Sequence, residues 1–183
     1  HRITDSTTLK LYERLFWNKG KGLSHPKRFG DKIEYLFWFA KTEKFTINID
    51  EMRVPYSESS LKRFKKPIKK RFNRTEGDEK VEYKDWGPNP KGALPSTLIN
   101  IGSESRRISD NHIAVYPEHL TDYFIKGSTN EGDLVLDPFM GSGTTGVSAK
   151  KLKREWIGFD NIEEYVNFAN KRIDSTKVND KMS

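Results

Sequence analysis

The stretch "LVLDPFMGSGTTG", residues 134–146, decides the fold of this chain. It begins as an apolar run typical of a buried strand, stops at Asp137, and then places Gly141, Gly143 and Gly146 among serines and threonines. A G-x-G-x-x-G spacing between a strand and a helix is typical of a loop whose backbone approaches a cofactor closely. The stretch therefore predicts a cofactor site on an α/β sheet.

The sequence around this loop predicts alternating strands and helices. "GTTGVSAKKLK" predicts a helix, "EWIGFD" a second strand that ends in an acid, and "IEEYVNFANKRI" a second helix. Upstream, "PEHLTDYFIKGST" predicts a helix with Leu120, Phe124 and Ile125 on one face and with Gly127 as its stop signal. The order strand, helix, strand, helix predicts a parallel sheet.

Two classes of cofactor fit this loop. Asp160 ends the second strand 19 residues after Gly141, a spacing that places an acid near a bound ribose. A dinucleotide such as NAD would set its pyrophosphate at the start of the helix, where Asp137 would repel it. S-adenosylmethionine has no phosphate and offers an ammonium group and a sulfonium to a carboxylate. Asp137 therefore favours S-adenosylmethionine.

The rest of the chain divides by composition. "RLFW" and "IEYLFWFAK" predict two strands joined by a basic loop, whereas the chain from Ile49 to about Arg107 is polar, basic and rich in turns. We expect residues 1–48 to hold late strands of the main domain and residues 49–108 an inserted recognition region. Residues 109–183 are expected to hold the cofactor-binding part.

Composition excludes several functions. The chain has 183 residues and no cysteine, so it has no disulfides, thiolate metal sites or cysteine nucleophiles. It contains neither a signal peptide nor an apolar run of the roughly 20 residues that a membrane span needs, so a cytoplasmic location is expected. His25, His112 and His119 are not at metal-ligand spacing, and no metal site is predicted.

Positive charge is concentrated in one segment. Lys and Arg number 33 against 26 Asp and Glu, a formal charge of +7. Eight of the basic residues lie in "SLKRFKKPIKKRFNR": Lys62, Arg63, Lys65, Lys66, Lys69, Lys70, Arg71 and Arg74. Clustered basic and aromatic side chains favour a nucleic acid as partner, and a solvated lysine-rich loop is the alternative.

"DPFMGSGTTG", with the "NHIAVYPEHL" segment before it and "AKKLKREWIGFDN" after it, resembles the DNA amino-methyltransferases, which methylate N6 of adenine or N4 of cytosine. The resemblance covers residues 111–173 and implies a Rossmann-like methyltransferase sheet with an inserted irregular, basic target-recognition region. It also implies that S-adenosylmethionine is the cofactor. The residues that it implies for cofactor binding are Asp137, Phe139, Gly141, Ser142, Gly143, Thr144, Thr145, Asp160 and Asn161, with Pro117 as a weaker candidate.

In this family a loop of the type Asp/Asn/Ser-Pro-Pro-Tyr/Trp, called here the Pro-Pro-Tyr-type loop, holds the target base, and no such tetrapeptide occurs in this sequence. The resemblance implies that this catalytic loop lies upstream of residue 1, so the catalytic residues are unknown and we expect the chain to be incomplete. "INIDEMRVPY" and "GPNPKGALPSTLINIG" resemble adenine-specific members, which favours N6-adenine over N4-cytosine.

The partners that the resemblance implies are double-stranded DNA, a cognate restriction endonuclease, and a second copy or second chain that supplies the catalytic loop. The alternatives are a non-catalytic DNA-binding subunit, one half of a split enzyme, and an NAD-dependent oxidoreductase.

Overall fold

The computed structural model describes residues 7–20, 26–27, 29–65, 88–102 and 116–178. The strands are β1 (Lys10–Asn18), β2 (Ile33–Ala40), β3 (Leu98–Asn100), β4 (Leu134–Asp137) and β5 (Glu155–Gly158). The helices are α1 (Glu58–Phe64), α2 (Glu118–Ser128), α3 (Thr144–Lys151) and α4 (Glu163–Asp174), and a 3-10 helix covers Ile49–Met52.

The first sheet has the strand order β2-β1-β3. The two strands predicted from "RLFW" and "IEYLFWFAK" form its antiparallel pair, with Phe16 opposite Tyr35 and a register shift between Leu11 and Glu13. β3 runs parallel to β1, with Phe16 opposite Leu98. β3 lies near the end of residues 49–108, the range expected to form the recognition region. Because β3 pairs with β1, this part of the range belongs to the first sheet.

The second sheet pairs β4 with β5 in parallel, from Leu134 opposite Glu155 to Asp137 opposite Gly158. α3 connects the two strands and α4 follows β5, so the predicted strand, helix, strand, helix order is confirmed. Both helices pack on one face of this sheet, around Met140, Val147, Ala169 and Ile173. The residues described thus form a mixed α/β fold.

α2 connects the two sheets. Its Leu120 is buried with Leu15, Trp17 and Ile99 of the first sheet, as the predicted apolar face required. On the side of the second sheet, its Thr121 hydroxyl lies 2.6 Å from the Ser148 hydroxyl of α3. The helix therefore holds the first sheet and the glycine-loop helix together.

The stop signal predicted for α2 is wrong, because Gly127 lies inside the helix and the last helical residue is Ser128. A Cβ atom at Gly127 would overlap the Met52 side chain, so this glycine serves close packing of the 3-10 helix. Asn48 instead stabilises the C-terminal end of α2, because its side-chain amide donates to the carbonyl oxygens of Lys126 at 3.1 Å and Thr129 at 2.8 Å.

One face of the β4–β5 sheet carries exposed apolar side chains. Leu134 and Leu136 are 58% and 60% exposed, and Ile157 and Phe159 are 44% and 59% exposed. Within the described residues no further strand pairs with β4. No helix in the described part of the chain is both long enough and apolar enough to cross a membrane.

Candidate cofactor site

The glycine loop connects the carboxyl end of β4 to the first turn of α3. Gly141 and Gly143 adopt positive φ angles of 48° and 76°, which disfavour residues with a side chain. The Gly143 amide donates to the Met140 carbonyl at 2.7 Å, and the Val147 amide donates to the Gly143 carbonyl at 2.9 Å. Met140 is buried. The loop is therefore a tight turn with a buried anchor.

The three glycines of the motif serve different purposes. A Cβ atom at Gly143 would lie 2.8 Å from the Ala169 Cβ, and one at Gly146 would lie 2.5 Å from Ile173 Cδ1. These two glycines allow α4 to pack against the loop and α3. A Cβ atom at Gly141 would meet no atom within 4 Å. The backbone at Gly141 therefore borders open space, where a ligand can approach it.

The two acids predicted to bind cofactor end the adjacent strands. Asp137 is the last residue of β4, and its Oδ1 accepts a hydrogen bond from the Phe139 amide at 3.0 Å. Asp160 follows β5, and its Oδ2 accepts from the Gly141 amide at 3.0 Å, while its Oδ1 accepts from the Ile162 amide at 3.0 Å. The structure therefore brings Asp160 to the loop across the carboxyl ends of the two strands.

The remaining predicted cofactor residues fall into two groups. Phe139 is 87% exposed beside the loop, and Asn161 is exposed next to Asp160. Ser142 and Thr144 are buried, with 7% and 5% exposure. Thr145 is half-buried in the first turn of α3, and Pro117 is a buried residue at the start of α2.

The buried hydroxyl groups contact Arg172 of α4. Its Nη1 donates to the Ser142 carbonyl oxygen at 3.0 Å, to the Thr144 hydroxyl at 3.0 Å, and to the Ser142 hydroxyl at 3.4 Å. Its Nη2 donates to Glu118 Oε1 at 2.7 Å. The resemblance implies that Ser142 and Thr144 bind the cofactor, whereas in the structure their hydroxyl groups accept hydrogen bonds from Arg172.

Charges around Glu118 extend this network to α3. Lys151 lies 3.5 Å from Glu118 and 2.9 Å from Asp122. Burial alone would raise the pKa of Glu118, but the hydrogen bond from Arg172 and the charges of Lys151 and Arg172 outweigh it and lower that pKa. Burial alone would lower the pKa of Lys151, but Asp122 and Glu118 raise it. Glu118 and Lys151 are therefore both charged near neutral pH.

Arg172 and Glu118 were missed by the sequence analysis. Both stand in segments that were interpreted as amphipathic helices, and 54 residues separate them. One signal was available, because Arg172 directly precedes the buried Ile173 and follows the buried Ala169 by three residues. That spacing places a charged side chain at the border of a packed helix face.

The predicted DNA-binding residues are described only in part. Lys62 and Arg63 lie in α1 and Lys65 at its end, and Tyr56 packs edge-on against Phe64 with ring centroids 5.1 Å apart. An isolated antiparallel β-bridge pairs Val54, which precedes α1, with Ala93. Five predicted residues lie outside the described part of the chain: Lys66, Lys69, Lys70, Arg71 and Arg74.

A strand, a tight glycine loop, a helix, and an acid at the end of the next strand define an α/β protein that binds a nucleoside-containing cofactor. The sequence profile of the N6- and N4-methyltransferase family, described as DNA methylase, matches residues 3–171. The chain belongs to this DNA methylase family. The family predicted from the sequence is thereby confirmed.

Relatives and solved structures agree with this assignment. The chain is 37% identical over 171 residues to the type II methyltransferase M1.MboII of Moraxella bovis, in a match that covers 89% of this chain and 62% of that protein. It is 32% identical over 169 residues to the type II methyltransferase M.BglII of Bacillus subtilis, covering 91% of this chain and 43% of that protein.

Two solved structures show the same fold. The cytosine-N4-specific PvuII DNA methyltransferase matches with a TM-score of 0.65 at 23% identity, over 100% of this chain and 56% of that one. The complex of M1.HpyAVI with S-adenosylmethionine matches with a TM-score of 0.61 at 24% identity, over 94% of this chain and 66% of that one. The predicted α/β fold class is confirmed, and the chain spans less than two thirds of each of these relatives.

Proposed function

We propose that this chain is the cofactor-binding and DNA-recognition part of an S-adenosylmethionine-dependent DNA methyltransferase. The observation that carries the proposal is the hydrogen bond from the Gly141 amide to Asp160, which closes the loop across the ends of β4 and β5 with Asp137 beside it. Two solved structures with the same fold are complexes with S-adenosylmethionine, which supports the cofactor predicted from the sequence.

The residues present fit this cofactor. The open space at Gly141 admits a ligand against the backbone, and the Asp137 carboxylate at the strand end offers a partner for an ammonium group. The same carboxylate would repel the pyrophosphate of a dinucleotide, so NAD chemistry is the weaker alternative. When bound, S-adenosylmethionine supplies an electrophilic methyl group, and the work of this chain is to hold and orient it.

In this proposal the side chains at the site have distinct roles. Asp137 attracts the ammonium group, Asp160 accepts from the ribose hydroxyls with the lone pairs that Gly141 and Ile162 leave, and Asn161 approaches the adenine. Phe139, which is largely exposed, forms one apolar wall of the pocket. Ser142 and Thr144 hold the loop in shape through Arg172, and Thr145 and Pro117 stay candidates for contact with the cofactor.

The acceptor is proposed to be an exocyclic amino group of a DNA base. N6 of adenine is preferred, because the segments that flank the recognition region resemble adenine-specific members. N4 of cytosine is the second candidate, and one solved structure with the same fold is the cytosine-N4-specific PvuII enzyme. In both cases the amino nitrogen itself carries the lone pair that attacks the methyl group, so the reaction needs no covalent enzyme intermediate.

A further segment of the protein, or a second chain, completes the active site in this proposal. Two observations support it, because a parallel strand is normally covered on both sides: no strand among the described residues pairs with the second edge of β4, and the apolar side chains Leu134, Leu136, Ile157 and Phe159 are exposed. The chain also lacks the base-holding Pro-Pro-Tyr-type loop. A DNA-binding subunit without catalytic activity remains the alternative, since it would keep the loop and the basic segment.

The test is methyl transfer by the complete protein encoded by the gene. Tritium from labelled S-adenosylmethionine should enter unmethylated duplex DNA, and chromatography of the digested nucleosides should identify N6-methyladenosine or N4-methylcytosine. The control is the same protein carrying Asp137→Asn, which should incorporate no label. Binding of cofactor and DNA without transfer by the complete protein would favour the non-catalytic subunit.

A further inference from the structure

Arg172 joins three segments that meet behind the glycine loop. Its guanidinium donates to Ser142 and Thr144 through one terminal nitrogen and to Glu118 through the other. Its side chain is only 17% exposed, and Glu118 is 34% exposed. A single side chain in the last turn of α4 thus connects the loop to the first residue of α2.

The contact to the Ser142 carbonyl has a direct effect on the loop. Ser142 lies between Gly141 and Gly143, both of which have positive φ angles, so the orientation of its peptide fixes the turn. The hydrogen bond is charge-assisted and its donor is partly buried, which makes it stronger than a neutral hydrogen bond. Loss of this bond would free the turn that carries the Gly141 amide.

The contact to Glu118 orients the guanidinium. Bonded to a carboxylate at 2.7 Å, Nη2 fixes the plane of the fork, so Nη1 points at the loop. Lys151 supports Glu118 from α3 but makes its shorter contact, 2.9 Å, with Asp122. Glu118 therefore pairs with two cations: Arg172, which contacts the loop, and Lys151, for which no described contact reaches the loop.

We propose that Arg172 is a positioning residue for S-adenosylmethionine binding, which acts through Ser142 and Thr144 and is itself oriented by Glu118. This inference rests on the proposed function. It predicts that changes at Arg172 affect cofactor affinity beyond their effect on stability. A guanidinium that only stabilised the packing of α2, α3 and α4 would affect stability alone.

The chain offers a matched control. Lys151 is 21% exposed, close to the value for Arg172, and its side chain also reaches Glu118, but no described contact connects it to the loop. Lys151→Met leaves the carboxylate of Asp122, which is 13% exposed, without its cation. We therefore expect Lys151→Met to lower the thermal midpoint about as much as Arg172→Met does.

The experiment is calorimetric titration of the complete protein with S-adenosylmethionine, with the cofactor-free thermal midpoint measured for each variant. Arg172→Met should weaken binding about tenfold or more, as expected for the loss of charge-assisted hydrogen bonds. The affinity of Arg172→Lys should lie between those of the wild type and Arg172→Met, because a lysine ammonium cannot reach both the loop and Glu118. Lys151→Met should bind within about twofold of the wild type.

A double-variant cycle supplies the second measurement. Glu118→Gln should weaken binding by itself, but Glu118→Gln combined with Arg172→Met should bind no more weakly than Arg172→Met alone, because both act on one unit. Equal losses of affinity in Arg172→Met and Lys151→Met, or wild-type affinity in Arg172→Lys and Arg172→Met, would overturn the inference. Absence of binding in the wild-type protein would instead contradict the proposed function.

Discussion

At the scale of single residues, the carboxylate at the end of β4 separates the two cofactor classes. Asp137 ends the strand and bonds the Phe139 amide, so its position is fixed before any ligand arrives. A carboxylate so placed favours a cationic ligand by Coulomb attraction and disfavours a phosphate. In the proposed function, the charge of Asp137 contributes more to cofactor binding than its hydrogen bond does.

We predict that Asp137→Asn abolishes detectable binding of S-adenosylmethionine in the complete protein. The amide keeps the shape and an acceptor for the Phe139 amide, so the fold should remain intact while the charge is lost. Calorimetric titration checks the affinity, and circular dichroism checks the fold. Asp133→Asn, just before β4, is the control and should bind like the wild type. Unchanged affinity in Asp137→Asn would refute the assignment of this loop.

The glycines of the loop give a second residue-scale prediction. Gly143→Ala should destabilise the protein by about 2–4 kcal/mol, because strain at φ 76° adds to an overlap with Ala169. Gly141→Ala should cost only the strain, about 1 kcal/mol, since its Cβ meets no atom within 4 Å. Its methyl group would instead occupy the space predicted for the cofactor. Thermal midpoints and cofactor titrations of both variants test this, and equal stabilities would contradict it.

At the scale of elements, the contact of α2 with α4 depends on an ionised Glu118. Its pKa is lowered from 4.5, so the carboxylate stabilises the fold above that pH, and this stabilisation is lost as the pH falls through the folded-state pKa. Because Glu118 is about one third exposed, solvent reduces the effect. The contribution of Glu118 to stability therefore changes with pH only under acidic conditions.

We predict that Glu118→Gln has a lower thermal midpoint than the wild type near neutral pH, and that the two midpoints converge as the pH falls through the lowered folded-state pKa of Glu118. Melting curves recorded over this pH range provide the measurement. Glu163→Gln, an exposed change in the first turn of α4, is the control and should run parallel to the wild type. A constant difference between Glu118→Gln and the wild type at all pH values would show that the charge of Glu118 is not involved.

The basic helix α1 carries the element-scale prediction for DNA. Replacing Lys62, Arg63 and Lys65 with Gln should weaken binding to all duplexes alike and reduce the slope of log affinity against log salt by about 2–3, if each side chain meets a phosphate. Fluorescence anisotropy at several salt concentrations measures both. The control replaces three exposed lysines elsewhere, Lys10, Lys41 and Lys44. A loss confined to one DNA sequence would mean that the helix reads bases.

At the scale of the whole molecule, the described residues form two sheets joined by α2, with an apolar face on β4 and β5 left open. Burying such a face stabilises a protein by roughly 25 cal/mol for each Å² of apolar surface removed from water. In the proposed function, the further segment or second chain covers this face and supplies the loop that holds the target base.

We predict that a polypeptide of residues 1–183 transfers no methyl group to DNA, because the acceptors that hold the amino group in line with the methyl donor are absent from it. Adding the proposed catalytic segment, in the same chain or as a separate one, should restore transfer. Changing the aromatic residue of its Pro-Pro-Tyr-type loop to Ala should remove it again. Tritium incorporation is the measurement. Turnover by the 183-residue polypeptide alone would mean that other residues hold the target base, and Asn89 and Pro90 would be the first to test.

The sequence by itself determined the cofactor half of the molecule. A strand that ends in Asp137, three glycines and an acid after the next strand are local patterns, and neighbouring residues decide a turn, a helix start and a strand end. For the same reason the family and the α/β class followed from one short stretch. The roles of the individual cofactor residues, the boundaries of the recognition region and the choice between adenine and cytosine stay predictions.

Only the tertiary structure decided which groups of the loop face the protein. The contacts of Arg172 span 28 to 54 residues of sequence, and Gly127 continues its helix because Met52 packs against it. β3 joins the first sheet by pairing with β1, which lies more than 80 residues earlier in the sequence. Such contacts leave no periodic pattern in the sequence, because they depend on where separate elements meet and not on what their neighbours along the chain prefer.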